Sequence, residues 1–266
     1  MTNDSASTLV FLGIPSLAAL IVGLLTIATA VAERKLGTAL ALANRRAVRN
    51  ALLAVIWVAV SLGVANTGVL ARFDSRPPPL LVFLVLAFSG TIALARSRFG
   101  ERLTLGLPLW ALVGFQAFRL PVELVLHQAA SDGIMPVEMS YSGYNFDILS
   151  GTSALFVAAA LALGWAGKRV TLIWNIVSLL LLCNIVGIAI AATPTFQAFG
   201  PDHLNVWVTR PPYVLLPAVL VMAAFFGHAL VFRKLGALGR VAVNASSTGS
   251  ADHRRPGTAA NLSLRA

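Results

Sequence analysis

Cysteine, acidic residues and evenly spread charge are what this chain has least of. Its 266 residues hold one cysteine, Cys183, which excludes an intrachain disulfide and a Cys-x-x-Cys redox pair. Charged residues make up 11% of the chain and hydrophobic ones 58%, so a water-soluble fold would be left with more apolar surface than it could cover. The four histidines, His127, His203, His228 and His253, are scattered, and paired axial ligands for a haem are missing. There is no Gly-x-Ser-x-Gly or Ser-His arrangement for a serine nucleophile and no His/Asp set for a metallohydrolase. No internal repeat provides the inverted-repeat signature common among carriers, which counts against a carrier. The sequence therefore predicts no cofactor, no metal and no catalytic residue. Residues 1–8 contain Asp4 and no Lys or Arg, so the first apolar run lacks the basic start of a secretory signal and is expected to stay in place.

What the chain has in abundance is long apolar runs. Seven of them, 9–32, 48–70, 80–95, 105–126, 148–165, 170–192 and 213–232, approach or exceed the roughly 20 residues a spanning helix needs, the third and fifth being shorter. The fold class predicted is all-α, a polytopic membrane helix bundle of seven transmembrane helices over 1–232. A basic cytoplasmic tail, 233–266, follows, in which apolar periodicity ends near Val243 and disorder is expected. Asn244 and Asn261 match a glycosylation pattern there, which a cytoplasmic location makes accidental. No span contains the lysine that a retinal Schiff base requires; the nearest is Lys234.

Cations near span ends set topology, because positively charged segments resist translocation. Arg34, Lys35, Arg45, Arg46 and Arg49, then Arg96, Arg98 and Arg102, then Lys168 and Arg169, with six more in the tail, place sixteen of the twenty Lys and Arg on one side. Arg72, Arg76 and Arg210 lie on the other, and Arg119 alone falls inside a span. The N-terminus is predicted outside and the C-terminus cytoplasmic. The basic face is expected to meet the bilayer's anionic headgroups, each nearby cation being worth about 1 kcal/mol. Charge distributed in this way does not point to nucleic acid, despite a net charge of +10.

The informative chemistry lies in the fourth span and the loop after it. Gln116, Arg119, Glu123 and His127 recur at spacings of three, four and four, a narrow helical stripe that cannot face lipid. Arg119 and Glu123 are expected to pair within the helix, and Pro121 between them frees the carbonyl of Ala117 and predicts a kink. Residues 128–147 follow, with Asp132, Glu138 and Asp147 but no Lys or Arg, and are rich enough in aromatic and turn residues to fold back over the bundle. Asn145 or Asp147 is expected to cap the fifth helix. Asn184 lies about 21 Å along the sixth span, near the expected depth of Arg119.

The candidate ligand-binding set is thus Gln116, Arg119, Glu123, His127, Asn145, Asp147 and Asn184. Each has a structural alternative. The Arg119–Glu123 pair can serve only to fix packing, Asn145 and Asp147 to cap, Asn175 and Asn184 to bridge helices, and His127 and His228 to pack or sit at the interface. Residues 193–212, with Asp202, His203 and Arg210, read as an interfacial loop anchored by Phe196, Phe199 and Trp207, or as part of an outer lid.

Phe118-Arg119-Leu-Pro-Val-Glu123-Leu-Val-Leu-His127, followed by Met135-Pro-Val-Glu-Met-Ser-Tyr-Ser-Gly-Tyr-Asn145-Phe-Asp147-Ile-Leu-Ser-Gly151, resembles an uncharacterised family of bacterial multi-pass membrane proteins, most clearly over 105–165. The resemblance implies an integral protein of the bacterial inner membrane with Arg, Glu, Asn and Asp as hallmark residues, and no mechanism. Two classes of function remain. One is a binding or transport protein in which Arg119 engages a small anionic ligand; the other is a non-catalytic sensor or assembly component whose ion pair secures the bundle. A lipid- or isoprenoid-modifying enzyme ranks below both, because Glu123 could act as a base but no nucleophile accompanies it. Oligomeric state is not encoded in any of these signals.

Overall fold

The computed structural model describes residues 4–252, with side chains described over 8–239. Nine α-helices and no strand occur among the described residues: α1 (Asp4–Lys35), α2 (Leu40–Asn66), α3 (Pro79–Arg96), α4 (Arg98–Gly106), α5 (Leu109–Gly114), α6 (Arg119–Ser131), α7 (Ile148–Ala162), α8 (Lys168–Ala191) and α9 (Met222–Asp252). Six stretches are long and apolar enough to cross a membrane: Thr8–Lys35, Leu40–Asn66, Pro79–Arg96, Leu109–Ser131, Lys168–Ala191 and Leu216–Gly239. The expected fifth span is α7, which has only 15 residues.

The bundle is inside-out relative to a soluble domain. Val48, Leu52, Leu53, Val55, Ile56 and Val60 of α2 all point outward, whereas Gln116, Arg119, Glu123, Asn145, Asp147, Asn175 and His228 are buried. An apolar surface of this extent calls for lipid as solvent, and polar groups hidden from lipid must find one another.

Several boundaries differ from the hydropathy reading, each for a local reason. α2 begins at Leu40, eight residues before the apolar run, because helical hydrogen bonding does not depend on hydropathy and its cations find partners or water. Glu33 at the end of α1 accepts from Arg46 Nη1 at 2.7 Å, from Thr38 Oγ1 at 2.8 Å and from both Nε and Nη2 of Arg102. The expected fourth span, 105–126, starts later and ends later. α4 lies before it, opened by Ser97, whose hydroxyl accepts the Phe99 N–H at 3.2 Å. Gly106 ends α4 against Ala32, where a Cβ would stand 2.5 Å from the carbonyl oxygen. Just ahead of Pro121, where a kink is expected, Phe115–Phe118 tightens into a 3-10 turn, the local answer to a proline that cannot donate to Ala117. Before α9, Leu216–Val221 widens into a π turn around Pro217, and the Ala218 carbonyl there accepts the Trp57 indole N–H at 2.9 Å. α9 passes the boundary expected at 232 without a break and stays helical to Asp252, past the start of the segment expected to be disordered. The remainder of that tail, 253–266, lies outside the described residues.

The cation-rich connections meet at one end of the bundle. Arg233 donates to the Ala95 and Ser97 carbonyls at the end of α3, at 2.7 and 3.1 Å, and Lys168 Nζ reaches the Leu238 carbonyl at 2.9 Å. At the opposite end the connections 132–147 and 192–214 are tied by His203 and Glu138, 2.7 Å apart, and the first of them is held to α8 by Asn184 Nδ2 donating to the Tyr144 carbonyl.

α7 runs antiparallel to α5 and α6 in a register set by small residues. Gly114 faces Ala158, and Gly151 presses on the Leu120 backbone so closely that a Cβ would collide with it. By that register α7 starts level with Glu123 and Leu124, about 10 Å short of the end of α6. Residues 132–147 therefore descend into the bundle as a segment without α-helix, broken by one 3-10 turn at Val137–Met139, with Met135, Met139, Ser140 and Asn145 buried. Irregular backbone at this depth is tolerated because protein, not lipid, surrounds it.

Candidate functional site

Arg119 stands near the middle of the Leu109–Ser131 stretch and is 2% exposed. Its partner is Asp147, not Glu123. Nε donates to Asp147 Oδ2 at 2.7 Å and Nη2 to Oδ1, a bidentate fork between α6 and the start of α7. The pairing expected within the helix is corrected: spacing puts Glu123 on the same face of α6 as Arg119, but a planar guanidinium needs a carboxylate opposite its edge, which a neighbouring element supplies. Gly151, one turn after Asp147, permits the close approach that brings the carboxylate there.

The other donors of Arg119 are also used. Nη1 donates to Ser178 Oγ at 2.9 Å and to His228 Nε2 at 3.0 Å, and Nη2 to the Ser178 carbonyl at 3.3 Å. A guanidinium cannot accept, so His228 Nε2 carries no proton, and Nδ1–H donates to Asn175 Oδ1 at 2.8 Å. Asn175 Nδ2 in turn donates to the His228 carbonyl at 3.3 Å. All five N–H groups of Arg119 are engaged.

Glu123 is held by Asn145, whose Nδ2 donates to Oε2 at 2.7 Å and to the Met139 carbonyl at 3.0 Å. Asn145 Oδ1 accepts the Asp147 N–H at 3.0 Å, so one amide sets both carboxylates. Of the two residues expected to cap α7, Asp147 occupies the cap position but makes no side-chain cap bond, its carboxylate being spent on Arg119. The Asn145 bond is the turn that leads the chain into the helix.

Beside this cluster lies a cavity of about 80 Å³ between α3, α6, α8 and the π turn. Its walls are mostly apolar, among them Leu84, Val122, Leu182 and Leu216, with Arg119, Glu123, Asp147, Thr193 and Asn205 as the polar lining. Asn205 is 2% exposed; its Nδ2 donates to the Ala189 carbonyl at 2.9 Å, while Oδ1 has no partner.

The structure brings Arg119, Glu123, Asn145 and Asp147 together and leaves the other three candidates apart. Gln116 is buried but donates to the Ala224 carbonyl at 2.9 Å against Gly227. His127 stacks on Tyr141, ring centroids 4.3 Å apart, and lies 3.1 Å from Ser142 Oγ. Asn184 is exposed, and the α8 residues that meet Arg119 and His228 are Ser178 and Asn175 instead. Ser178 and Asn205 escaped the sequence reading, and His228 was read only as a packing or interfacial residue; the i,i+3 spacing of Asn175 and Ser178 within a mostly apolar helix was the available signal. Among the described residues, no three His, Cys, Asp or Glu side chains gather as a metal would require.

The fold and this cluster define an all-α membrane bundle with an ionic network at its centre. Compared with protein-family models, curated proteins and solved structures, the chain matches none of them.

Proposed function

We propose that the chain is a seven-pass integral membrane protein that binds a small ligand within the bilayer, with Arg119–Asp147 as a fixed frame and Glu123 as the group that meets the ligand. The observation that carries this reading is the apolar cavity lined by Glu123 and by Asn205, whose Oδ1 has no partner. Two carboxylates share one guanidinium, so an ionised Glu123 leaves the cluster short of positive charge, and a charge at this depth costs several kcal/mol unless balanced. The balance comes with the ligand: an ammonium, a hydroxyl donor or a proton. A small anion, the ligand expected from the sequence, finds no free donor on Arg119 and would have to displace Asp147. α7 and the descending segment together make the fifth pass. The clustered cations support a cytoplasmic location for that end and an external N-terminus, in the bacterial inner membrane that the resemblance implies.

The second reading, a sensor or assembly component in which the pair is purely structural, is favoured by the saturation of Arg119. Thermal unfolding of the purified full chain in detergent with butylamine, butanol or butyrate separates the possibilities, since a ligand that binds only the folded state raises Tm. Butylamine is expected to raise Tm, and Glu123→Gln, which still accepts from Asn145, to remove the shift. A shift with butyrate alone, lost in Arg119→Gln, favours the anion. No shift with any of them favours the structural reading.

A further inference from the structure

A second, larger cleft of about 470 Å³ opens along the bundle between α1, α2, α3 and α9, away from the ionic network. Leu53, Trp57, Leu86, Phe99, Phe115 and Phe226 are among its apolar walls. Gly90 lines the cleft and is exposed, with no atom within 4 Å of where a Cβ would stand. Polar character is concentrated at one end, where Arg49 and Asn50 of α2 line the cleft. Arg49 has no acidic partner among the described residues; its contacts are two weak 3.4 Å bonds to the Asn50 side chain, beyond the usual range for N–H donors. Its surroundings are positive, because Glu33 serves both Arg46 and Arg102, and Glu101 is 3.4 Å from Arg233.

From Arg49 to Trp57 the cleft runs about 12 Å at helical rise, close to the ~15 Å of hydrocarbon in one leaflet. An apolar channel of that length ending in a free guanidinium has the layout of an acyl chain joined to a phosphate, and the excess cations favour a headgroup of net negative charge over a zwitterion. We propose that this cleft holds one anionic phospholipid, with an acyl chain along Trp57 and the phosphate on Arg49. The inference is independent of the central cavity.

Trp57 supplies the probe. The full chain is reconstituted into phosphatidylcholine vesicles containing a minor fraction of either phosphatidylglycerol or phosphatidylcholine with dibrominated acyl chains. The quenching that disappears in Trp57→Phe is the part due to the cleft. With the brominated anionic lipid this part is expected to reflect roughly fivefold greater occupancy than with the brominated zwitterion, the factor that one nearby cation confers. Arg49→Gln and Gly90→Leu, the latter adding a side chain to the cleft lining, each bring it to the zwitterion's level, whereas Arg72→Gln at the opposite end leaves it unchanged. Equal quenching by the two lipids overturns the proposal, and so does a preference that survives Arg49→Gln. A preference lost in Arg49→Gln but kept in Gly90→Leu also overturns it, because attraction at the membrane surface would then suffice without a chain in the cleft.

Discussion

Arg119 spends all five of its N–H groups inside the bundle, and this makes half a pair worse than none. Asp147→Asn leaves a buried guanidinium without its counter-charge and is expected to cost about 3–5 kcal/mol, whereas Arg119→Met combined with Asp147→Leu removes both charges and recovers most of that loss. Denaturant unfolding of the purified variants measures the difference; equal losses in the single and double variants would show that the ion pair is not what binds α6 to α7. That Arg119 and Glu123 are hidden inside the bundle is readable from sequence, since a charge within an apolar span cannot face acyl chains. Which carboxylate Arg119 takes is not readable. Helical spacing reports which residues share a face, while pairing depends on what the facing element presents, and here that is Asp147, 28 positions away. Asn184 departs from the sequence expectation in depth as well as in direction: Ser178 is the α8 residue level with Arg119, and Asn184, six residues and about 9 Å further along the helix, is exposed and donates to the Tyr144 carbonyl.

At the level of elements, α7 is short because the chain enters it from within the bundle, and Gly151 is the contact on which that arrangement turns. A Cβ there meets the Leu120 backbone, which cannot move aside as a side chain tip could. Gly151→Val is therefore expected to push α7 off α6, break the Arg119–Asp147 fork and lower Tm by many degrees, whereas Gly187→Val on α8, facing open space, leaves Tm nearly unchanged. Similar losses in both would mean that α7 does not rely on this close approach. The sequence announced a departure from α-helical geometry near Pro121, which lacks a donor wherever it sits, but not α4, a nine-residue amphipathic helix too polar and too short for a hydropathy window. Nor did it announce the early start of α2, since charged residues hide helix ends from a reading based on apolar runs.

For the whole molecule the testable statement is sidedness. In a Cys183→Ser background, Ser131→Cys is expected to react with a membrane-impermeant maleimide in intact cells, and Gly167→Cys only after lysis; the reverse pattern inverts the proposed orientation. The order of residues along the chain by itself determined that lipid is the solvent, that the chain is helical, and that its cations gather at one end, because hydrophobicity and charge are summed over residues adjacent in the chain. Tertiary structure decided the rest: the fork from Arg119 to Asp147, the descending segment, and the two cavities with Glu123 and Arg49 on their walls. Those features join residues as far as 205 positions apart, from Ile21 to Phe226, and they depend on how each helix is rotated and how closely small residues let backbones approach, quantities that no local window of sequence contains.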